Sequence, residues 1–379
     1  MRGAWFVVIV LSLLTRLNAN ELEMISGRAF GTTYEVKIAN RDPDVSIDAV
    51  RNLVADELER IEAIFSLYRI DSELTRWNAV KANEWIDVSH DLFSVVEFAI
   101  ELSKQSKGAF DPTVRPLIEL WHLDDLSGSW TPPTEQSIQS ILSDIGIANI
   151  ELRRDSKRIR KRNDFAKMDL NALVEGWAID RVLQLLQQAG VKDVLFGLGG
   201  EFGGRGNRSE SGGWQVGIEA HCNPPNIDAI ISVENAALST SGNYRQSRRY
   251  AGKRYSHIFD PRTGQPIHHD LTAVSVLHPS AMTADGWATA LLILGPDLGK
   301  SVAEQHGLVA RFVHCIPNKT FATQTSAAQG KFCEIAESIH VFDLHAVHIV
   351  IGMVVVGGLG IFLFAWFPNR RIGRKGPKG

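Results

Sequence analysis

The chain has 379 residues, 44% of them hydrophobic and 22% charged, with 40 Lys and Arg against 43 Asp and Glu for a formal net charge of -3. That length suits one large domain or two ordinary ones, and the composition excludes wholesale disorder, a collagen repeat and a disulfide-dense miniprotein. Near-neutrality argues against a generally basic nucleic-acid binder, although a net value hides how charge is distributed.

At the N-terminus Arg2 precedes an apolar run from Ala4 to Leu14, and the residues up to Ala19 complete the pattern of a secretory signal over 1–19. Leu17 stands where a small residue is preferred before cleavage, so a retained anchor is the alternative. Phe30, Thr32, Tyr34, Val36 and Ile38 alternate as one strand face should. Ile47, Val50, Val54, Leu58, Ile61 and Phe65 fall at helical spacing behind Asp44 and Ser46, either of which can cap. A second helix is predicted over 90–106, ending at Gly108, and another from Leu173 to Gln188, ending at Gly190 before a strand from Val191 to Phe196. Trp214–Ile218, Ala229–Val233 and Leu271–Leu277 have strand character, and Ala281–Leu294 reads as helix. Strands and helices that interleave without strict alternation predict an α+β body over 20–340, as one unit or two lobes.

Val347 to Trp366 is uncharged and almost wholly apolar. At ~1.5 Å per residue about 20 residues cross a ~30 Å hydrocarbon core, which predicts a transmembrane helix over 346–367. The tail 368–379 carries Arg370, Arg371, Arg374, Lys375 and Lys378 with no acid, which places it in the cytoplasm and the body across the inner membrane, in the periplasm. The two ends hold seven of the 40 basic residues and none of the 43 acidic ones, so the body has 33 against 43, a net charge of -10.

Several motifs fail on inspection. Cys222, Cys315 and Cys333 lack metal-knuckle spacing and permit one disulfide whose pairing the spacing does not assign. The stretch Gly197, Gly199, Gly200, Gly203, Gly204 follows a strand, but Phe202 stands where a dinucleotide fingerprint needs its third glycine. Backbone approach to a ligand and an ordinary turn both remain open for it. The basic run Arg153 to Arg162 is expected to be a solvated hairpin, and no aromatic residue interleaves with it, so no nucleic-acid partner is expected. There is no Walker A, H-E-x-x-H or G-x-S-x-G sequence. A serine hydrolase built from Ser241, His257 and an Asp ranks last for want of an elbow.

Asp285 and Thr289 lie one helical turn apart, an oxygen-donor pair of the kind Mg²⁺ accepts. Alone, such a pair is more often a solvated or capping pair. It is joined, however, by Gly108-Ala-Phe-Asp-Pro-Thr113, Asp169-Leu-Asn-Ala-Leu-Val-Glu-Gly-Trp-Ala-Ile-Asp180, Ser239-Thr-Ser-Gly-Asn-Tyr-Arg245 and Tyr255-Ser-His-Ile-Phe-Asp-Pro-Arg-Thr-Gly264. With Ala281-Met-Thr-Ala-Asp-Gly-Trp-Ala-Thr-Ala290 these five ordered motifs resemble the ApbE family of FAD:protein FMN transferases from about Phe30 to Phe312.

The resemblance implies an ApbE-like domain of mixed sheet and helix that takes FAD as substrate and moves its FMN half onto a Thr or Ser hydroxyl of a target flavoprotein subunit. AMP is released with the help of Mg²⁺. By position it implies metal ligation by Asp285, Thr289 and the carbonyl of Ala172. Flavin-nucleotide contacts are implied at Phe30, Tyr68, Ala109, Phe110, Asp111, Asp169, Glu175 and Phe259, with Ser241, Gly242 and Arg245 lining the same pocket. His257 is the candidate for proton transfer, imidazole being the side chain whose ordinary pKa lies nearest neutrality, or else an anchor for a phosphate or for Asp260. Arg115 replaces a glycine common in the family, Phe259 an aliphatic residue and Asn171 a smaller one, changes that bear on flavin packing or target choice and remove no metal ligand. FAD pyrophosphatase activity, with water replacing the acceptor, and an inactive membrane-tethered flavin-binding protein are the competing readings.

Overall fold

The computed structural model describes residues 22–123, 130–208, 212–219, 226–243, 247–316 and 319–340. The expected signal (1–19), transmembrane helix (346–367), basic tail (368–379) and Arg245 lie outside the described residues. Among the described residues no helix is long and apolar enough to cross a membrane.

The chain opens with a hairpin, β1 (Glu23–Ala29) and β2 (Thr32–Arg41), then α1 (Ile47–Phe65), α2 (Glu73–Ala79), β3 (Ile86–Asp87) and α3 (His90–Gln105). Helices α4 (Arg115–Trp121) and α5 (Glu135–Leu142) precede a second hairpin, β4 (Ile150–Arg153) and β5 (Arg158–Lys161). Next come α6 (Asn171–Gln188), β6 (Val191–Leu198), β7 (Glu201–Arg205), β8 (Trp214–Glu219), β9 (Asn226–Val233) and β10 (Ala236–Gly242). Short strands β11 (Ser247–Tyr250), β12 (Lys253–Ser256), β13 (Phe259–Asp260) and β14 (Gln265–Pro266) lead to β15 (Leu271–His278), α7 (Ala281–Leu294) and α8 (Pro296–Gln305). The described part ends with β16 (Val309–Ile316), β17 (Lys319–Gln324) and β18 (Phe332–His340).

Eight strands form an antiparallel sheet in the order β1-β2-β6-β7-β10-β15-β16-β17. Side-chain alternation gives this sheet two covered faces. Val36, Phe196, Ala237 and Val276 point to a core shared with α1, α3, α6 and α7. Leu195, Phe202 and Leu238 point the other way, onto Trp214, Val216 and Ile231 of the three-stranded sheet β18-β9-β8. Helices, large sheet and small sheet thus make three layers, the α+β arrangement expected from the sequence.

Ser46, not Asp44, caps α1 by accepting from the Ala49 N–H at 3.1 Å. Phe30 is not a strand residue: it sits in the β1–β2 turn at φ 53°, left-handed beside Gly31, with its N–H donated to Glu62. The basic run is a hairpin, and its charges are met locally. Arg153 and Arg160 lie over the Trp85 ring, Arg158 pairs with Asp87, and Arg160 and Arg162 share Glu151. Lys161 departs from the solvated expectation: it is 1% exposed and donates to the carbonyls of Asn78, Ala166 and Asp164.

Of the cysteines, Cys315 is in a disulfide and Cys333 is a free, exposed thiol.

Candidate active site

Helices α6 and α7 pack at the closest approach their sequences allow. A Cβ on Gly176 would stand 2.5 Å from the Ala281 carbonyl oxygen. Asp180, one turn further along α6, receives the first turn of α7: Ala281 N–H at 2.8 Å, Met282 N–H at 3.1 Å and Ser280 Oγ at 2.7 Å. A carboxylate at a helix N-terminus satisfies orphan amides and favours the dipole. Asp285 and Thr289 are therefore held at a set height against α6.

A cavity of about 220 Å³ opens beside α7 and is lined by Ala109, Phe110, Asp111, Asp169, Ala172, His257, Phe259 and Thr289, among others. Each polar member has a local reason for its place. Asp111 accepts from the Thr113 N–H at 2.8 Å and its hydroxyl at 2.6 Å, while burial pushes its carboxyl upward from the ordinary range. Asp169 accepts from the Asn171 N–H at 3.0 Å at the start of α6 and faces Arg115 at 3.6 Å. Phe259 is fixed by Trp121, ring centroids 5.7 Å apart. Asp260 is clamped by Arg262 at 2.8 and 2.7 Å. A second cavity of about 370 Å³, lined by Lys104, Lys107 and Arg262, shares Asp111 and Pro261 with the first as a common wall.

Beneath the cavity the donors change from mixed to purely oxygen. Thr289 Oγ1 lies 2.8 Å from Ser241 Oγ on β10. Asp285 is 4% exposed, and its Oδ2 lies 3.3 Å from the Gly176 N–H. Ala172 has ψ 15°, so its carbonyl is swung away from the direction that a helical ψ near ~-42° would give it. Glu175 packs against Gly199, which has no Cβ to collide with the carboxylate. Glu201 interacts directly with Asp285. Burial pushes Asp285 up to about 7 and, with the charge of Asp285 added, Glu175 up to about 8. Glu201 is raised well above the ordinary range by burial and by both neighbouring carboxylates.

A divalent cation fits this donor set. Three buried carboxyl groups meet with no positive side chain among the described residues acting on any of them. Among the described residues no three His, Cys, Asp or Glu form a closed cage, which accords with a hard ion that completes its shell with phosphate and water.

Several expected contacts stand elsewhere. Tyr68 is 88% exposed on the loop between α1 and α2, and Phe30 packs at the rim of the helix-side core; neither lines the cavity. Gly242 ends β10 opposite Ala273, away from the cavity lining. Ser241 shares its hydroxyl with Thr289, so it does not stand ready as a hydrolase nucleophile.

The sequence profile of the ApbE family matches residues 30–312, most of the chain. The chain belongs to the ApbE family. A Haemophilus influenzae relative named FAD:protein FMN transferase is 33% identical over 344 residues, covering 88% of this chain and 98% of its own. The ApbE flavinyl transferase of Pseudomonas stutzeri, solved in its apo form, superposes with a TM-score of 0.74 at 30% identity, covering 82% of this chain and 96% of that one. The ApbE flavin transferase of Vibrio cholerae gives 0.73 at 30% identity, covering 82% and 99%.

Within the ApbE frame the sequence motifs converge as expected on one cavity floor. The carboxylate of Glu201 and the hydroxyl of Ser239 were not singled out by sequence reasoning. The available signal was an acid set among glycines at a strand position that alternation turns toward the helices, the same side as Gly203.

Proposed function

We infer that this chain is an FAD:protein FMN transferase. The observation that carries this reading is a near full-length match to a transferase of that name, joined to a cavity on which Asp111, Asp169, His257 and Thr289 converge. In the reaction an acceptor Thr or Ser oxygen forms a bond to the FMN phosphorus and the pyrophosphate P–O bond breaks. AMP leaves with the electron pair, and the hydroxyl proton goes to a base.

His257 on the cavity wall is the side chain suited to take that proton. Phe110 and Phe259 supply apolar surface for ring systems, and Asp111 and Asp169 supply acceptors for polar edges. Asp285 and Thr289, with the Ala172 carbonyl, would hold Mg²⁺. When bound, that ion withdraws charge from phosphate oxygens and steadies the leaving group. Apolar walls exclude water, which favours the protein hydroxyl over hydrolysis.

The export signal and the C-terminal span support a periplasmic catalytic body tethered to the inner membrane. A tether confines enzyme and membrane-bound target to one surface and raises their effective concentration.

The test is incubation of the protein with FAD, Mg²⁺ and a candidate flavoprotein target, read as a fluorescent flavin band in a denaturing gel. A covalent band is expected, and its loss is expected in Asp285→Ala. AMP without a band would mean hydrolysis, and neither product would defeat both enzymatic readings.

A further inference from the structure

Ser239 and Ser241 are successive residues on one face of β10, and that face lies against α7. Two strand residues advance ~6.6 Å and four helical residues ~6 Å, so the pair Ser239/Ser241 runs in step with Asp285/Thr289. At the outer rung Ser241 meets Thr289. At the inner rung Ser239 lies across from Glu201, one step beyond the Leu238–Phe202 pair of the β7–β10 ladder. There the oxygens are left over. Ser239 is fully buried and its Oγ has no hydrogen-bond partner, nor has Glu201 Oε2.

We propose that Glu175, Glu201, Ser239 and Asp285 form a second divalent-cation site at this inner rung, with Asp285 shared between it and the outer Asp285/Thr289 site. The proposal rests on the reading of the outer pair as a cation site. Carboxylates and a hydroxyl from α6, β7, β10 and α7 are all oxygen donors, the set a hard cation selects. Three buried acids without a basic partner are costly to hold together, and a cation between them removes that cost. Gly199 is part of the construction. Its φ of 64° and missing side chain let Glu175 turn inward, where a Cβ would stand 2.1 Å from Oε2. A shared carboxylate between two ions is also the arrangement by which paired metals clamp phosphoryl chemistry.

The experiment counts ions. Full-length protein in detergent is titrated with Mn²⁺ without FAD, and free Mn²⁺ is read by electron paramagnetic resonance. Two ions per chain are expected for the wild type and one for Glu201→Gln, with Glu175→Gln lowering the affinity of the second ion at least tenfold. One ion or none in the wild type overturns the proposal, as does a count of two in Glu201→Gln. Loss of folding would not mimic the result, because Glu201→Gln removes a buried charge and its ion-free melting temperature should not fall below the wild type. The transferase reading stands or falls separately, on Mg²⁺-dependent appearance of the flavin band.

Discussion

The hydroxyls of Ser241 and Thr289, one on a strand and one on a helix, meet at 2.8 Å on the floor of the cavity. This bond orients the Thr289 oxygen without occupying all of its lone pairs. Thr289→Val keeps the shape and removes the oxygen, so transfer should fall at least about tenfold, whereas Thr289→Ser should keep most of it. Ser241→Ala removes only the orienting bond, worth about 1 kcal/mol, and should cost about fivefold in apparent Mg²⁺ affinity. Initial rates against Mg²⁺ concentration separate the two effects.

Stability should depend on pH through the buried acids. Glu175 at about 8 and Asp285 at about 7 lie above their unfolded values, so the native state binds more protons than the unfolded one. Their contribution is full below the unfolded carboxyl pKa near ~4 and is lost as pH rises toward 8. Without divalent ions the melting temperature should therefore fall between pH 5 and 8.5, and Mg²⁺ should flatten the slope. An Asp285→Asn variant with an unchanged slope would rule out these groups as the source.

Gly176→Ala should destabilise the fold by about 1–3 kcal/mol, because the new methyl meets backbone atoms of Ala281 and Met282 that cannot swing aside. Urea denaturation measures this directly. Transfer should fall as well, since the displaced helix carries Asp285.

Lys161→Met should cost about 2 kcal/mol or more, since the carbonyls of Asn78, Asp164 and Ala166 lose their shared donor in a buried place. Asn78 also holds Met168 by both its N–H and its carbonyl. The loop that delivers Asp169 to the cavity thus depends on this latch, and the Lys161→Met protein should show a raised KM for FAD with a smaller change in kcat.

Much of the fold was legible in the sequence where periodicity and caps agree. The helix ending at Phe65 and the one from Ala281 to Leu294 appear with the expected bounds, each behind a serine cap. Phe30 misled because its apolar side chain continues the alternation of β2 through a turn that reverses the chain. The motifs placed Asp111, Asp169, His257 and Thr289 at one cavity, since each sits beside a local constraint that the sequence carries. The carboxylate cluster was not legible. Glu175, Glu201 and Asp285 meet only because a helix, a strand and a second helix from distant parts of the chain pack together, and no local pattern encodes that meeting.

The grip of Asp180 on the first turn of α7 bears on how the site meets its ligands. Because α6 and α7 are locked to each other by folding, the entropy of aligning their oxygens is lost before any FAD arrives rather than at each encounter. The site is preorganised, and a lesion at Asp180, far from the substrate, should be felt as slack in the active centre.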